Sequence, residues 1–321
     1  MSETAGAGKA LFIQEVGPRD GFQIEARFIP TADKIALIDA LGTCGLAKIE
    51  VTSFTSPKAI PALADADEVM RGIRRQPGVV YTALVPNLRG AERAIAAGTD
   101  ELNLVMSASE THNLLNLRMT REQSVGRLQE VVDLALGAGV ALNVSLSTAF
   151  GCPMEGEVAR NTVLGLAETF LARGVRGITL CDTTGMAHPR QVGGLSAAFR
   201  SRFPDAELTL HLHNTRGMGL ANALAALGAG VVRFDASLGG LGGCPYAPGA
   251  TGNVCTEDLV HMLQAMGHAV AVDLEGLLAA ARTLPALVGH DVPGQVLHAG
   301  ASQDLHPIPE DLETIRTRAR G

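Results

Sequence analysis

Two histidines separated by one residue, His211 and His213, stand at the end of an apolar segment and could together bind a metal ion. Residues two apart on a β-strand project to the same face, so two imidazoles at this spacing can share one cation. A pair of hydrogen-bonded structural histidines is the alternative. Asp20, Asp182 and Asn253 follow other apolar segments, which favours the metal site. Imidazole, carboxylate and amide oxygen ligands predict Mg²⁺ or Mn²⁺ rather than a closed zinc site.

A glycine-rich segment, GGLGGCP at residues 239–245, places the thiol of Cys244 beside a proline. Four glycines make a loop that can move or approach a ligand closely. The segment therefore predicts a mobile lid that carries an acid, and a turn with an inert cysteine is the alternative. Inert roles are expected for Cys152 and Cys255, and Cys181 is expected to pack inside a strand.

Charged side chains also follow the first two apolar segments of the chain. Arg19 and Asp20 lie between glycines in GPRDGFQ at residues 17–23, and Glu50 and Ser53 occupy the corresponding place in the second segment. Glycines permit backbone angles that other residues avoid, so the Arg–Asp pair can sit in a sharp turn.

The elements that must position these residues alternate along the chain, because short apolar runs are followed by longer Ala- and Leu-rich amphipathic stretches. This alternation is typical of βα units around a parallel sheet. Strands are predicted at residues 10–16, 47–52, 79–85, 101–106, 140–146, 176–181, 207–213 and 231–236. Helices are predicted between them, for example at 31–41 and at 120–135, where Thr120 starts the helix.

No GxGxxG turn follows the first strand, so a closed (β/α)8 TIM barrel is preferred to an open doubly wound sheet. The active site of such a barrel lies at the C-terminal ends of its strands. The 321 residues suit one α/β barrel domain at 1–285, with a C-terminal arm and short helix at 286–321 that is not an independent domain.

Composition excludes several classes of protein. The net charge of −7 and the lack of a long Lys/Arg cluster argue against nucleic-acid binding. Five scattered cysteines without a CxxC pair argue against a disulfide framework and a structural zinc site. No apolar run is long enough for a transmembrane helix, and the N-terminus MSETAGAGKA does not resemble a signal peptide. We therefore expect a cytoplasmic protein that binds no membrane.

Taken together, the motifs resemble those of the 3-hydroxy-3-methylglutaryl-CoA lyase family, which belongs to the metal-dependent lyase and condensing-enzyme barrels. The resemblance spans about residues 10–285. The motifs that carry it are VGPRDGFQ at 16–23, IEVTSFTSPK at 49–58, VPN at 85–87, GCP at 151–153, CDTTG at 181–185, LHLHN at 210–214 and SLGGLGGCPYAPGATGN at 237–253. The cysteine loop is specific to the lyase branch, whereas the His-x-His and Arg–Asp pairs are shared with the condensing branch.

What the resemblance implies is a retro-Claisen cleavage of a 3-hydroxy-3-alkylglutaryl-CoA to acetyl-CoA and a β-keto acid. With the methyl compound the keto acid is acetoacetate, as in leucine degradation and ketone body metabolism. The resemblance also implies a divalent metal, Mg²⁺ or Mn²⁺, that holds the substrate's 3-hydroxyl and a carboxylate oxygen. The implied metal ligands are Asp20, His211, His213 and Asn253.

The implied catalytic roles are divided among several side chains. Asp20 or His211 would remove the hydroxyl proton, and Arg19 would stabilise the enolate oxygen of the leaving fragment. Cys244 would protonate the carbanion carbon, directly or through a partner. Orienting roles are implied for two further carboxylates, Glu50 and Asp182, whose alternatives are surface or N-cap roles.

Three positions depart from the family pattern. Asn214 stands where members commonly carry aspartate, Ala26 (beside Arg27) stands where a basic residue is usual, and Asn143 stands where the best-known lyases have arginine. A lyase for a different hydroxyacyl-CoA is therefore an alternative. A condensing acyltransferase of the isopropylmalate-synthase type is another, although residues 286–321 are too short for the long regulatory domain that such enzymes usually carry.

The expected partner is a small-molecule acyl-CoA. Its phosphates need cations, for which Lys58 and Arg89 are candidates, and solvated surface roles are the alternative for both. A homodimer is expected by analogy with related barrels.

Overall fold

The computed structural model describes residues 10–243 and 252–320, and within them eight parallel strands close into a barrel. Each strand pairs with the next along the chain, and the last pairs with the first. The strands are β1 (Phe12–Glu15), β2 (Lys48–Ser53), β3 (Val80–Val85), β4 (Glu101–Ser107), β5 (Ala141–Ser147), β6 (Gly177–Asp182), β7 (Glu207–Leu212) and β8 (Arg233–Ala236). The predicted (β/α)8 TIM barrel is confirmed, and each predicted strand end lies within two residues of the observed one.

Helices connect and surround the strands. They are α1 (Thr31–Gly42), α2 (Ala66–Gly72), α3 (Leu88–Ala96), α4 (Glu110–Leu117), α5 (Arg121–Gly137), α6 (Arg160–Leu171), α7 (Pro189–Arg202), α8 (Gly219–Gly228), α9 (Thr256–Ala265), α10 (Leu274–Ala281), α11 (Leu284–Val288), α12 (Gln295–Ala299) and α13 (Leu312–Arg320). Thr120 starts α5 as predicted, because its hydroxyl accepts the N–H of Gln123 while the Gln123 side chain accepts the N–H of Thr120. No helix in the described part of the chain is both long and apolar enough to span a membrane.

Alternation along the strands gives the barrel a polar interior. Apolar strand residues pack under the helices and are fully or almost fully buried, as at Ile13, Ile49, Leu102, Val144, Ile178, Leu210 and Phe234. Polar residues lie between them and surround a small cavity inside the barrel, as at Gln14, Glu50, Thr82, Asn103, Asn143 and Thr179. Successive side chains of a strand point to opposite faces. One face of each strand therefore packs against the helices, and the other faces the barrel interior below the mouth.

The chain turns sharply after β1. Residues Gly17–Gly21 form a single π-helical turn, in which the N–H of Asp20 donates to the carbonyl of Val16 at 2.7 Å. Turns of this kind are rare in proteins, and many of those that occur lie at functional sites. A Cβ atom at position 17 would lie 2.7 Å from a carboxylate oxygen of Glu15, so any other residue there would displace that carboxylate.

The segment after the barrel starts as packed structure and ends as exposed structure. Leu284 and Val288 of α11 are buried, whereas α13 contains no buried residue. The proposed division at residue 285 stays a prediction.

Candidate metal centre and catalytic cavity

Three side chains converge at the mouth of the barrel with the geometry of a metal site. Asp20, His211 and His213 are all buried, and one ligand atom from each lies within 4.8 Å of the others. The two Nε2 atoms of the histidines are 3.2 Å apart, and the Nε2 of His211 is 3.9 Å from Oδ2 of Asp20. The two histidines of the predicted metal site therefore lie beside Asp20, which comes from the turn after β1.

Asn253, the fourth predicted ligand, lies directly beside this cluster. It forms a single antiparallel bridge with His213, and its Nδ2 donates to Asp20 Oδ2 at 2.7 Å and to the carbonyl of Leu241 at 2.9 Å. Its Oδ1 is buried without a hydrogen-bond partner in the described part of the chain. A buried carbonyl oxygen without a partner is costly, and a cation would satisfy it. Together with two imidazoles and one carboxylate, this oxygen fits a divalent metal ion.

The electrostatic surroundings favour metal-binding protonation states at Asp20 and His213, whereas they favour the protonated form of His211. Burial would raise the pKa of Asp20, but Arg19 and the two histidines outweigh it and lower the pKa to about 2. Burial and the neighbouring His211 lower the pKa of His213 to about 3, so that its imidazole is neutral. Burial alone would lower the pKa of His211, but Asp235 and Asp20 raise it above its ordinary value. Ionised carboxylate and neutral imidazole are metal-binding forms.

Asp235 is a site residue that the sequence analysis missed. It lies on β8 opposite His211 in the strand pairing, and its Oδ2 is 3.3 Å from Nδ1 of that histidine. A carboxylate on the second ring nitrogen fixes the tautomer and orientation of a metal-binding histidine. The sequence shows a charged residue between Phe234 and Ala236 inside a predicted strand, but it does not show that this side chain points inward.

Arg19 connects the metal cluster to the interior of the barrel. Its Nε donates to Oε2 of Glu50 at 2.6 Å, and another guanidinium nitrogen contacts Oδ1 of Asp20. These carboxylates outweigh the effect of burial and raise the pKa of Arg19, which therefore stays charged. Glu50 lies within β2 rather than at its end, and its side chain points into the barrel. Burial raises the pKa of Glu50, and the charge of Arg19 opposes this.

Asp182, the last residue of β6, organises the loop that follows. Its Oδ1 accepts the backbone N–H groups of Met186 and Ala187 at 2.8 and 3.0 Å. Burial raises its pKa to about 6, although these hydrogen bonds and the charges of His211 and Arg216 lower it. These contacts are to the loop before α7, whose N-cap residue is His188 rather than Asp182, and an orienting role toward the site stays a prediction.

A cavity of about 440 Å³ opens at the metal cluster. Its lining combines the polar side chains of Arg19, Asp20, His211 and His213 with the apolar side chains of Ile24, Ile60, Leu84, Val105 and Leu117. His112 also lines the cavity, and its Nδ1 lies 2.6 Å from the hydroxyl of Ser107. His112 was not among the predicted site residues, although it follows the fourth predicted strand and so belongs to the face where site residues are expected.

The cysteines divide into two groups. Cys152, Cys181 and Cys255 are buried as expected, and burial raises the pKa of the Cys181 and Cys255 thiols well above the ordinary value. Cys181 lies in β6, as predicted, and also lines the cavity. Cys244 lies outside the described residues. The chain leads to it from the site itself, because Gly243 lines the cavity.

The three departures from the family pattern lie away from the cavity lining. Ala26 is exposed, and Asn214 is exposed and accepts the N–H of Gly219 at 3.0 Å. Asn143 is buried inside the barrel, where it lines the small interior cavity.

The two candidate cations for a CoA phosphate, Lys58 and Arg89, are both exposed. Arg89 lies with Arg93 and Arg127 in a surface groove of about 580 Å³, which also contains Ser56 and Pro57 of the segment after β2. Since Thr55 and Ala59 of the same segment line the catalytic cavity, the groove lies close to it.

Comparison with known proteins gives close relatives. Residues 10–284 match the HMGL-like family. A hydroxymethylglutaryl-CoA lyase of Bacillus subtilis is 47% identical over 289 residues, which are 90% of this chain and 97% of that protein. An (R)-citramalyl-CoA lyase of Chloroflexus aurantiacus is 40% identical over 302 residues, covering 91% of this chain and 95% of that one. The structure of an HMG-CoA lyase from Acinetobacter baumannii, in complex with coenzyme A and 3-methylmalate, is 51% identical with a TM-score of 0.90, covering 96% of this chain and 100% of that one.

Proposed function

The chain belongs to the HMGL-like family, and we propose that it is a divalent-metal-dependent lyase that cleaves 3-hydroxy-3-methylglutaryl-CoA to acetyl-CoA and acetoacetate. The observation that carries this proposal is the convergence of Asp20, His211 and His213 beside Arg19 in one cavity. The relatives that are hydroxymethylglutaryl-CoA lyases support the choice of substrate.

The metal would be held by the convergent cluster and by the partnerless oxygen of Asn253. When bound, a divalent cation supplies Lewis-acid chemistry, lowering the pKa of a hydroxyl group that it contacts. Asp20 and His211 are the two candidates for the base that accepts the proton of the substrate's 3-hydroxyl. Asp235 would orient the imidazole of His211, whether His211 acts as a metal ligand or as the base.

Arg19 would act on the leaving fragment. Cleavage of the bond between C2 and C3 of the substrate passes the electron pair toward the thioester, and negative charge develops on the thioester oxygen. A guanidinium that is already fixed by Glu50 and Asp20 can stabilise this charge without reorganising. Cys244 would then deliver a proton to the carbanion carbon, which completes acetyl-CoA.

The CoA portion of the substrate would extend from the cavity along the segment after β2. The groove that contains Arg89, Arg93 and Arg127 supports a location for its phosphates, because three guanidinium groups lie within one concave surface. Mg²⁺ or Mn²⁺ as the metal, a cytoplasmic location, leucine degradation as the pathway and a homodimer are part of the same proposal. The free cysteines in the described part of the chain fit a reducing compartment.

A lyase for a different hydroxyacyl-CoA is the second candidate. The relative that is an (R)-citramalyl-CoA lyase favours it, because it is nearly as similar to this chain as the hydroxymethylglutaryl-CoA lyases. The position of the three family departures speaks for the first candidate, since none of them lines the cavity.

The test is a comparison of substrates with one metal-loaded preparation. We expect 3-hydroxy-3-methylglutaryl-CoA to yield acetyl-CoA and acetoacetate, and (R)-citramalyl-CoA to be cleaved with a much lower kcat/KM. Cys244→Ala and His213→Ala should both lose the cleavage. Cleavage of citramalyl-CoA alone would replace the first candidate by the second. Cleavage of neither thioester by protein with bound Mn²⁺ would refute the first candidate and exclude citramalyl-CoA as the substrate of the second.

A further inference from the structure

A continuous chain of buried polar side chains runs from Arg19 into the barrel interior, and its last member, Ser145, again lines the catalytic cavity. Glu50 Oε2 accepts the Nε–H of Arg19 at 2.6 Å, and Glu50 Oε1 accepts the amide Nδ2 of Asn103 at 2.7 Å. Asn103 Oδ1 in turn accepts Asn143 Nδ2 and the Ser145 hydroxyl, both at 2.9 Å. All five side chains are buried.

The direction of each hydrogen bond in this chain is fixed by chemistry. The guanidinium of Arg19 can only donate, so Glu50 faces it as an acceptor. The second oxygen of Glu50 therefore meets the donating end of the Asn103 amide, and the accepting end must face Asn143 and Ser145. Asn143 also donates to the hydroxyl of Thr179 at 2.9 Å, which ties the end of the chain to β6.

We propose that Asn103 is a positioning residue for Arg19: its amide holds the Glu50 carboxylate in the orientation that aims the guanidinium at the reacting thioester. Asn103 itself lines only the small interior cavity and touches the substrate nowhere. The part of this inference that concerns catalysis rests on the proposed function, whereas the part that concerns the orientation of Arg19 does not.

The inference also explains the departure at position 143. The neutral amide of Asn143 adds no charge next to Glu50, so within the described residues Arg19 is the cation bonded to Glu50. Because the Glu50 carboxylate is bonded to one cation, its orientation also depends on its other hydrogen bond, which Asn103 donates. Asn143 and Ser145 then matter because they prevent the Asn103 amide from turning over.

The first test observes Arg19 without any substrate. The Nε–H of an arginine bonded to a buried carboxylate gives a separate ¹⁵N–¹H signal, which Arg19→Lys would assign by its absence. We expect Asn103→Leu, which has a similar shape but no amide, to shift this signal or broaden it beyond detection. The matched control is Gln14→Leu, which removes another interior amide, bonded to Thr209 rather than to Glu50, and should leave the signal in place.

The second test divides the kinetic effect between binding and chemistry. Asn103→Leu should lower kcat roughly 10- to 100-fold, the range expected for losing a hydrogen bond to a charged group. KM and Mn²⁺ affinity should stay within about twofold, because the metal ligands and cavity walls are intact. Asn143→Ala should cost kcat only about two- to threefold, since Ser145 still holds the Asn103 amide. Gln14→Leu should behave as the unmodified protein.

The possible results of these tests distinguish the positioning role of Asn103 from a general structural role and from the proposed function. An Arg19 signal that Asn103→Leu leaves unmoved overturns the proposal, whatever happens to kcat, and so does a kcat equal to that of the unmodified protein. Weaker Mn²⁺ binding together with a raised KM would show a general structural role for Asn103 and would also overturn the proposal. Asn103→Ala serves as the second variant if the leucine variant does not fold. If the unmodified protein fails to cleave 3-hydroxy-3-methylglutaryl-CoA, only the proposed function falls, and the Arg19 signal still decides the inference.

Discussion

Glu15 is a buried carboxyl group at the end of β1 that ties together two segments of the barrel mouth. Its Oε1 accepts the backbone N–H groups of Gly17 and Leu238, and its Oε2 accepts the hydroxyl of Thr256. Burial raises its pKa from the ordinary 4.5 to about 8, against the opposing effect of these three hydrogen bonds. The folded chain therefore holds a proton on Glu15 at neutral pH, and the unfolded chain does not.

The sign of the resulting pH dependence follows from linkage. Between pH 4.5 and about 8 the folded state binds more protons, so the free energy of unfolding falls as the pH rises. The stabilisation by this group is fully present below pH 4.5 and is lost as the pH passes about 8. The shift corresponds to at most about 5 kcal/mol, or about 1.4 kcal/mol for each pH unit.

Glu15→Gln removes the titration but keeps the shape. The amide oxygen can accept the N–H groups of Gly17 and Leu238, and the amide nitrogen can donate to the hydroxyl of Thr256, which accepts as well as donates. We therefore expect the variant to fold and to have a flatter pH dependence than the unmodified protein. At pH 8 it should be the more stable of the two, because it avoids the cost of protonating a carboxylate.

The assay is urea unfolding of both proteins at pH 6, 7 and 8, with reversibility checked at each pH. The unfolding free energy of the unmodified protein, relative to the variant, should fall by roughly 2 kcal/mol from pH 6 to pH 8. Histidines titrate in both proteins, and their effects cancel in the difference. Glu68→Gln is the matched control, since it replaces an exposed glutamate by glutamine in the same way. A pH-independent difference for Glu15→Gln would refute the reasoning, because Glu15 would then be ionised in the folded chain.

Three further predictions concern the metal centre and the thiols. His213→Ala should abolish detectable Mn²⁺ binding measured by electron paramagnetic resonance, and retention of full affinity would rule out His213 as a ligand. Asp235→Asn should weaken Mn²⁺ binding roughly 10- to 100-fold, because the orienting bond to His211 is altered, and an unchanged affinity would contradict this role. A thiol reagent added to the native protein should modify one cysteine fast, and Cys244→Ala should remove that fast phase. The four described cysteines are all buried, so a fast phase that survives in the variant would contradict the assignment of Cys244.

The sequence predicted the architecture and the metal cluster because both follow from local patterns. Strand runs and amphipathic stretches mark the βα units, and closure of a parallel barrel brings the ends of distant strands to one mouth. Asp20 and His213 are 193 positions apart in the sequence, yet Asp20 lies in the turn after β1 and His213 directly follows β7, so the barrel topology brings them to the same mouth. Recognition of the family added the reaction, which patterns of polarity could not supply.

Two of the site residues that were not predicted lie inside strands. Asp235 and Asn103 occupy inward positions of β8 and β4, and nothing in the local sequence distinguishes an inward polar residue from one that faces solvent. Their partners, His211 and Glu50, are on other strands, and the strand register that pairs them is a property of the closed barrel. The placement of Glu50 at the end of a strand was wrong for the same reason, since the strand extends beyond it to Ser53. The role of Cys244 stays a prediction.

For the proposed function, the charge balance of the mouth predicts that the metal binds before the substrate. Asp20, Glu50 and Asp235 place three carboxylates close together, and burial of like charges in one site is costly unless cations compensate. Among the described residues that line the cavity, Arg19 carries the one permanent positive charge. The mouth is therefore negative before a metal binds and would repel a substrate that carries a carboxylate. A divalent cation reverses this, so the free carboxylate of the substrate should find an attractive site only in the metal-loaded protein.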